Sequence, residues 1–192
     1  MWWFDSGRVC LDLVATGASA AEQLDGAGRL RQWLVGAGLV PPGTPLDEVG
    51  AEWVGRFTEL RGHVAQLVYG PETADGPALE RVNALAAAAP PAPQAVRDAD
   101  GGLVRALSGA PECGALLAAV ARDAVELLTD PAARSRLRQC EGDSCRRLFL
   151  DTSRGRRRRW CSSEVCGNRE RVARHRRRRV AVGANAKKFG KR

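Results

Sequence analysis

The sequence predicts a mainly α-helical N-terminal body with minor β structure, followed by a small, very basic module tied together by clustered cysteines. Three observations carry this. Apolar residues recur at helical spacing through most of the first two thirds. Charge is split between the two parts: residues 1–133 hold 9 arginines and no lysine against 17 acids, a balance of −8, whereas residues 134–192 hold 21 bases against 5 acids, a balance of +16. Four of the six cysteines, Cys140, Cys145, Cys161 and Cys166, fall within the basic part. The expected organisation is a helical body over 1–133, a cysteine-bearing module over 134–182 and a flexible basic extension over 183–192.

The body reads element by element. The run Arg8 to Thr16 alternates enough to predict a short strand ended by Gly17. From Asp25 to Leu39, Leu30, Trp33, Leu34 and Ala37 predict a helix that stops at Gly38. After the Pro41–Pro45 loop, Thr44 or Asp47 is placed to cap a helix reaching Tyr69, with Val49, Trp53, Phe57, Leu60, Val64, Leu67 and Val68 as its stripe. A further helix is expected over Pro77–Ala89. Gln94 to Leu107 predicts a hairpin turning at Asp100-Gly101. Pro111 opens a helix to Leu128 with Leu116, Leu117, Val120, Ala124 and Leu127 on one side. Asp130-Pro131, a cap followed by proline at the first helical position, starts one more.

These stripes read as core, and Cys10 and Cys113 as small buried hydrophobes. His63 reads as a packed or surface histidine. Residues 1–133 contain no glycine-rich phosphate loop, paired histidines or nucleophile elbow, so no catalytic set is predicted. No apolar stretch is long enough to span a membrane, and the start lacks a secretion-signal pattern. A cytoplasmic protein without disulfides is expected.

The cysteines form two C-x4-C pairs, Cys140/Cys145 and Cys161/Cys166, fifteen residues apart. That form suits a structural four-thiolate zinc site with no open position for a substrate water. An iron–sulfur cluster, two disulfides and four free thiols are the alternatives, and His175 is a spare candidate ligand. Between the pairs, Arg146–Asp151 and Arg156–Trp160 predict two strands about a Thr152–Gly155 turn. A helix capped by Ser162 or Ser163 then runs to about Arg179, with Glu164 at its positive end. Knuckle, hairpin and helix around one zinc make a treble-clef-like arrangement, and the metal should supply much of its folding free energy.

Cys145-Arg146-Arg147-Leu148-Phe149-Leu150-Asp151-Thr152-Ser153-Arg154, Arg159-Trp160-Cys161-Ser162 and Cys166-Gly167-Asn168-Arg169 resemble the CGNR zinc finger. That finger usually follows an ABATE domain, and Gly7 to Thr16 is similar to that domain's opening strand, although Ala15 stands where asparagine is typical. The two resemblances cover nearly the full length. They imply a stress-induced transcription regulator of bacteria.

Arg154, Arg156, Arg157, Arg158 and Arg159 on the hairpin, with Arg169, Arg171, Arg174, Arg176, Arg177, Arg178 and Arg179 on the helix, are the candidate DNA contacts. Arg171, Arg174 and Arg178 share one helical face. Val165 and Val172 share another, expected to pack on the zinc module. Aromatics are too few for a stacking platform, so double-stranded DNA is the preferred partner over RNA. The body is expected to sense a signal, form a homodimer or contact the transcription machinery. An RNA-binding or machinery-binding module is the runner-up reading. An enzyme acting on a small molecule is a third, which a ligand-sized pocket near Asp12 would reopen.

Overall fold

The computed structural model describes residues 2, 4–18, 21–70, 76–143 and 145–177. The fold is mainly α-helical with minor β structure. The body comprises α1 (Val9–Ala15), α2 (Ala27–Gly36), α3 (Ala51–Tyr69), α4 (Pro77–Ala86), the strands β1 (Pro93–Arg97) and β2 (Leu103–Leu107), α5 (Cys113–Thr129) and α6 (Pro131–Ser135). The basic module follows with β3 (Leu137–Gln139), β4 (Leu148–Leu150), a π-helical turn over Ser163–Gly167, and α7 over 168–177.

The segment expected as the first strand is instead the helix α1. Its residues from Cys10 to Ala15 are all buried, so it has no solvent face and shows no helical stripe to read. Its first turn is satisfied from another helix: the Cys10 amide donates to the Asp123 carboxylate on α5 at 2.8 Å, and Arg8 pairs with the same carboxylate at 2.8 Å. α1 packs against α3, α5 and β4, which puts it at the centre of the molecule.

α3 buries Phe57, Leu60, Val64, Leu67 and Val68, and α5 buries Leu116, Leu117, Val120, Ala121, Ala124 and Leu127, as their stripes predict. Trp33 of α2 meets Phe57 edge to face, with ring centroids 6.0 Å apart. α3 begins later than expected, after Gly50, so neither Thr44 nor Asp47 caps it. Asp130 does cap α6, accepting from the Ala132 amide at 2.8 Å.

β1 and β2 form the expected antiparallel hairpin, Val96 opposite Val104. Asp98 accepts from the amides of Asp100 and Gly102, and Gly101 takes the positive φ of 81° that the turn requires.

The second two-stranded sheet differs from expectation. β4 pairs with β3, Leu137 opposite Leu150, and no strand forms over 156–160. Arg156 sits at φ 48°, in the left-handed region, and the Arg158 amide donates to the Asp151 carboxylate at 2.9 Å instead of to a ladder. The residues of this sheet also join the body: Leu148 and Leu150 are buried in the main core, with Leu137 packed against it. The Leu150 amide donates to the Ser6 carbonyl at 2.8 Å, and the Tyr69 hydroxyl donates to the Arg146 carbonyl at 2.6 Å.

Candidate metal centre and arginine surface

The four cysteines converge. β3 delivers Cys140, whose amide bonds the Arg147 carbonyl at 2.9 Å, and a tight turn closes as the Cys145 amide donates to the Gly142 carbonyl at 2.9 Å. Gly142 lies directly over the sulfurs: a Cβ there would stand 3.6 Å from Cys140 Sγ and 3.4 Å from Cys145 Cβ. The second pair is set by Ser162, whose hydroxyl accepts from the Val165 amide at 3.3 Å and starts the π-helical turn that holds Cys166.

All four sulfurs lie within 4.8 Å of one another, with Cys145–Cys161 at 3.7 Å and Cys161–Cys166 at 3.6 Å. A tetrahedral ion bonded to sulfur at about 2.3 Å sets sulfurs about 3.8 Å apart, so the cluster has the dimensions of one zinc ion. The sulfurs are too far apart for disulfides, and all six cysteines are free thiols. An iron–sulfur cluster would need them spread around several irons. Three of the four are buried. His175 is exposed and outside the cluster.

The thiols themselves call for a cation. Hydrogen bonding from Cys161, with further donors nearby, lowers the Cys145 thiol to about 5. The same bond, then burial, pushes Cys161 upward, and burial first of all raises Cys166 to about 11. One thiolate is thus stabilised at the expense of the others. A dication lets all four ionise together. The Cys161 amide also points at Cys140 Sγ from 3.3 Å, a donor aimed at a thiolate.

Asp151 organises the loop between the pairs. It is buried, accepts from the Ser153 amide at 3.0 Å and hydroxyl at 2.6 Å and from the Arg158 amide, and these bonds, the Ser153 hydroxyl foremost, hold its carboxyl below the usual range. The Asp-x-Ser spacing is an Asx-turn signal, but nothing local in the sequence announces the bond to Arg158.

The predicted arginines separate into groups. Arg158 is structural: its guanidinium bonds the carbonyls of Trp160, Cys161 and Asp5 and lies 4.6 Å over the Phe149 ring. Arg159 pairs with Glu141 at 2.5 Å and covers the Trp160 ring. Arg171 bonds back to the carbonyls of Gly167 and Ser163. Arg177 approaches Glu170 at 3.6 Å and Asp143 at 4.0 Å. Arg169 is exposed. Arg154, Arg156, Arg157, Arg174 and Arg176 are exposed, with no side-chain hydrogen bond or ion pair among the described residues. Arg178 and Arg179, like the 183–192 extension, lie outside the described residues. Val172 does not pack on the zinc module; it is 50% exposed.

A cavity does lie beside Asp12, lined also by Asp5, Ser6, Arg147 and Cys161, but its volume is about 10 Å³. That is room for about one water, far below the several hundred Å³ of small-molecule sites. Asp12 itself is buried, which raises its carboxyl to about 6. No helix of the described residues is long and apolar enough to cross a membrane.

Fold and site together define a helical body joined to a small four-cysteine zinc finger. Residues 136–179 match the family model of the CGNR zinc finger. Residues 7–131 match the ABATE family, described as "putative stress-induced transcription regulator", and the chain belongs to that family. No curated protein matches the chain. Neither matched description names a catalytic activity.

Proposed function

We propose that this protein is a non-catalytic, DNA-binding transcription regulator of the bacterial cytoplasm. Cys140, Cys145, Cys161 and Cys166 hold its zinc. The finger within 134–182 contacts double-stranded DNA, the body over 1–133 senses a signal and holds two chains together as a homodimer, and the basic 183–192 extension adds phosphate contacts. The observation that carries this is the set of uncommitted arginines. Of the module's five described acids, Glu141, Asp143, Asp151 and Glu170 bond within the module, and only Glu164 is left exposed without a bonded partner. Arg154, Arg156, Arg157, Arg174 and Arg176 are left facing solvent. Like charges this dense repel one another, and a polyanion relieves that repulsion.

The test is salt-dependent binding of full-length, zinc-loaded protein to a labelled duplex. If all five arginines contact phosphate, log K falls with log salt at a slope of about −4.5, and a fourfold rise in salt weakens binding about 500-fold. Replacing Arg154, Arg156 and Arg157 by Gln, or Arg174 and Arg176 by Gln, flattens the slope by about 0.9 for each phosphate no longer neutralised. A slope unchanged by both sets takes the interface off the finger. Tighter binding to single-stranded RNA than to duplex DNA favours the RNA reading instead.

A further inference from the structure

A cleft of about 480 Å³ opens where the body meets the finger, and none of the four cysteines lines it. Its walls come from the end of α1 (Val14, with Gly17 and Ala18 beyond it), from α3 (Arg61, Gly62, Ala65 and Tyr69) and from the finger (Gln139 and Arg146). The volume suits a small organic molecule. The floor is made of small residues. Gly62 lies inside a long helix, where glycine is unfavourable, and a Cβ built on it meets nothing within 4 Å. The space above that position is the cleft itself.

Two cations border it, and they differ. The Arg61 guanidinium is fixed by Glu22 through bonds of 2.7 and 2.6 Å and by the Thr16 hydroxyl at 3.0 Å, and a Cβ on Gly17 would stand 3.1 Å from its Nε. That pairing holds the Glu22 carboxyl down at about 2, so Arg61 is neutralised in place. Arg146 is exposed and has no side-chain partner among the described residues. Its backbone is anchored, because its carbonyl accepts from Tyr69, and the same bond fixes the Tyr69 ring as a wall. The cleft thus combines an apolar floor, an aromatic wall, one arginine with no side-chain partner among the described residues and the Gln139 amide.

We propose that this cleft binds a small organic carboxylate with a flat apolar body, its carboxylate on Arg146 and its body over Gly62 and Ala65 against Tyr69. The site reaches beyond DNA recognition, and its occupancy is measured without DNA. A ligand here touches α3 and the finger at once and so steadies their junction.

The experiment is calorimetric titration of the full-length, zinc-loaded protein with benzoate and 2-naphthoate, alongside the neutral benzyl alcohol and 2-naphthalenemethanol. The expected result is saturable binding of one carboxylate per chain, much weaker binding of the matched alcohol, and a higher melting temperature with the carboxylate. Gly62→Leu puts a side chain into the cleft from a position where a Cβ meets nothing within 4 Å, and it should abolish binding while its own melt shows an intact fold. Arg146→Gln, on the surface, should weaken the carboxylate about tenfold and leave the alcohol unchanged. Absence of saturable binding by either carboxylate overturns the proposal, as does binding that survives Gly62→Leu. Equal affinity for carboxylate and alcohol overturns the assignment of an anion.

Discussion

Removing zinc should destabilise the body as well as the finger. The reason is β4. Leu148 and Leu150 flank the finger's own buried Phe149, yet their side chains belong to the main core, 7% and 8% exposed. Burying a leucine contributes about 1.5–3 kcal/mol, so releasing both removes about 3–6 kcal/mol at most. The Leu150–Ser6 and Tyr69–Arg146 hydrogen bonds add about 1 kcal/mol each. Against a typical total of about 5–15 kcal/mol this is a large share. At about 2–4 °C per kcal/mol for a chain of this size, the body's melting temperature should fall by roughly 10–30 °C. The assay is helical circular dichroism on heating, comparing zinc-loaded protein, chelator-treated protein and Cys161→Ser. Leu150→Ala with the metal kept calibrates the seam and should lose about 2–5 kcal/mol. An unchanged helical melt after metal loss, with the finger shown to be unfolded, would refute the reasoning and make the two parts independent.

Three further outcomes follow from single side chains. Asp12 has its carboxyl raised by burial from 3.8 to about 6, so folding binds its proton more tightly. Its contribution is full below about pH 4 and is lost as pH rises through 6, a swing of at most about 3 kcal/mol. Asp12→Asn should flatten that part of the stability–pH curve in denaturant titrations. Glu22 is shifted the other way by Arg61, so its contribution is present above about pH 4.5 and lost as pH falls toward 2; Glu22→Gln should remove that acid limb. Arg158→Ala should lower the melting temperature, through about 1–3 kcal/mol of lost bonds to the Asp5, Trp160 and Cys161 carbonyls, and leave the DNA salt slope unchanged. A flattened slope would return Arg158 to the DNA contacts.

The parts legible in the sequence are those written in local pattern. The α3 and α5 stripes, the Asp130-Pro131 start, the Asp100-Gly101 turn and the paired cysteine spacings each depend on neighbours within a few residues. The parts that were not legible depend on distant partners. α1 is buried on every side and takes its cap from Asp123, more than a hundred positions away, so its local pattern is that of a strand. β3 has only three residues, and its pairing with β4 is decided by what Leu137 and Leu150 share in the core. The arginines look alike in sequence. Only carbonyls and rings from other segments show that Arg158 is held inside the structure while Arg174 is exposed.

The charge split invites a mechanism in which the acidic body masks the basic finger, and the ion pairs argue against it. Arg8 pairs with Asp123 and Glu126, Arg61 with Glu22 and Arg81 with Glu59, all inside the body. Arg159 and Arg177 pair with acids of their own module. Among the described residues no body carboxylate forms an ion pair with a finger arginine. What joins the two parts is apolar side chains and bonds to backbone carbonyls, which salt does not screen. Body and finger meet through the packing of α1 on β4 and the Tyr69–Arg146 hydrogen bond. The two routes separate experimentally. Masking by charge predicts that a body-free finger binds DNA more tightly at low salt and that the difference closes as salt rises. Coupling through the seam predicts that Leu150→Ala, which leaves every charge in place, changes the affinity of the full chain for DNA by a similar factor at low and moderate salt.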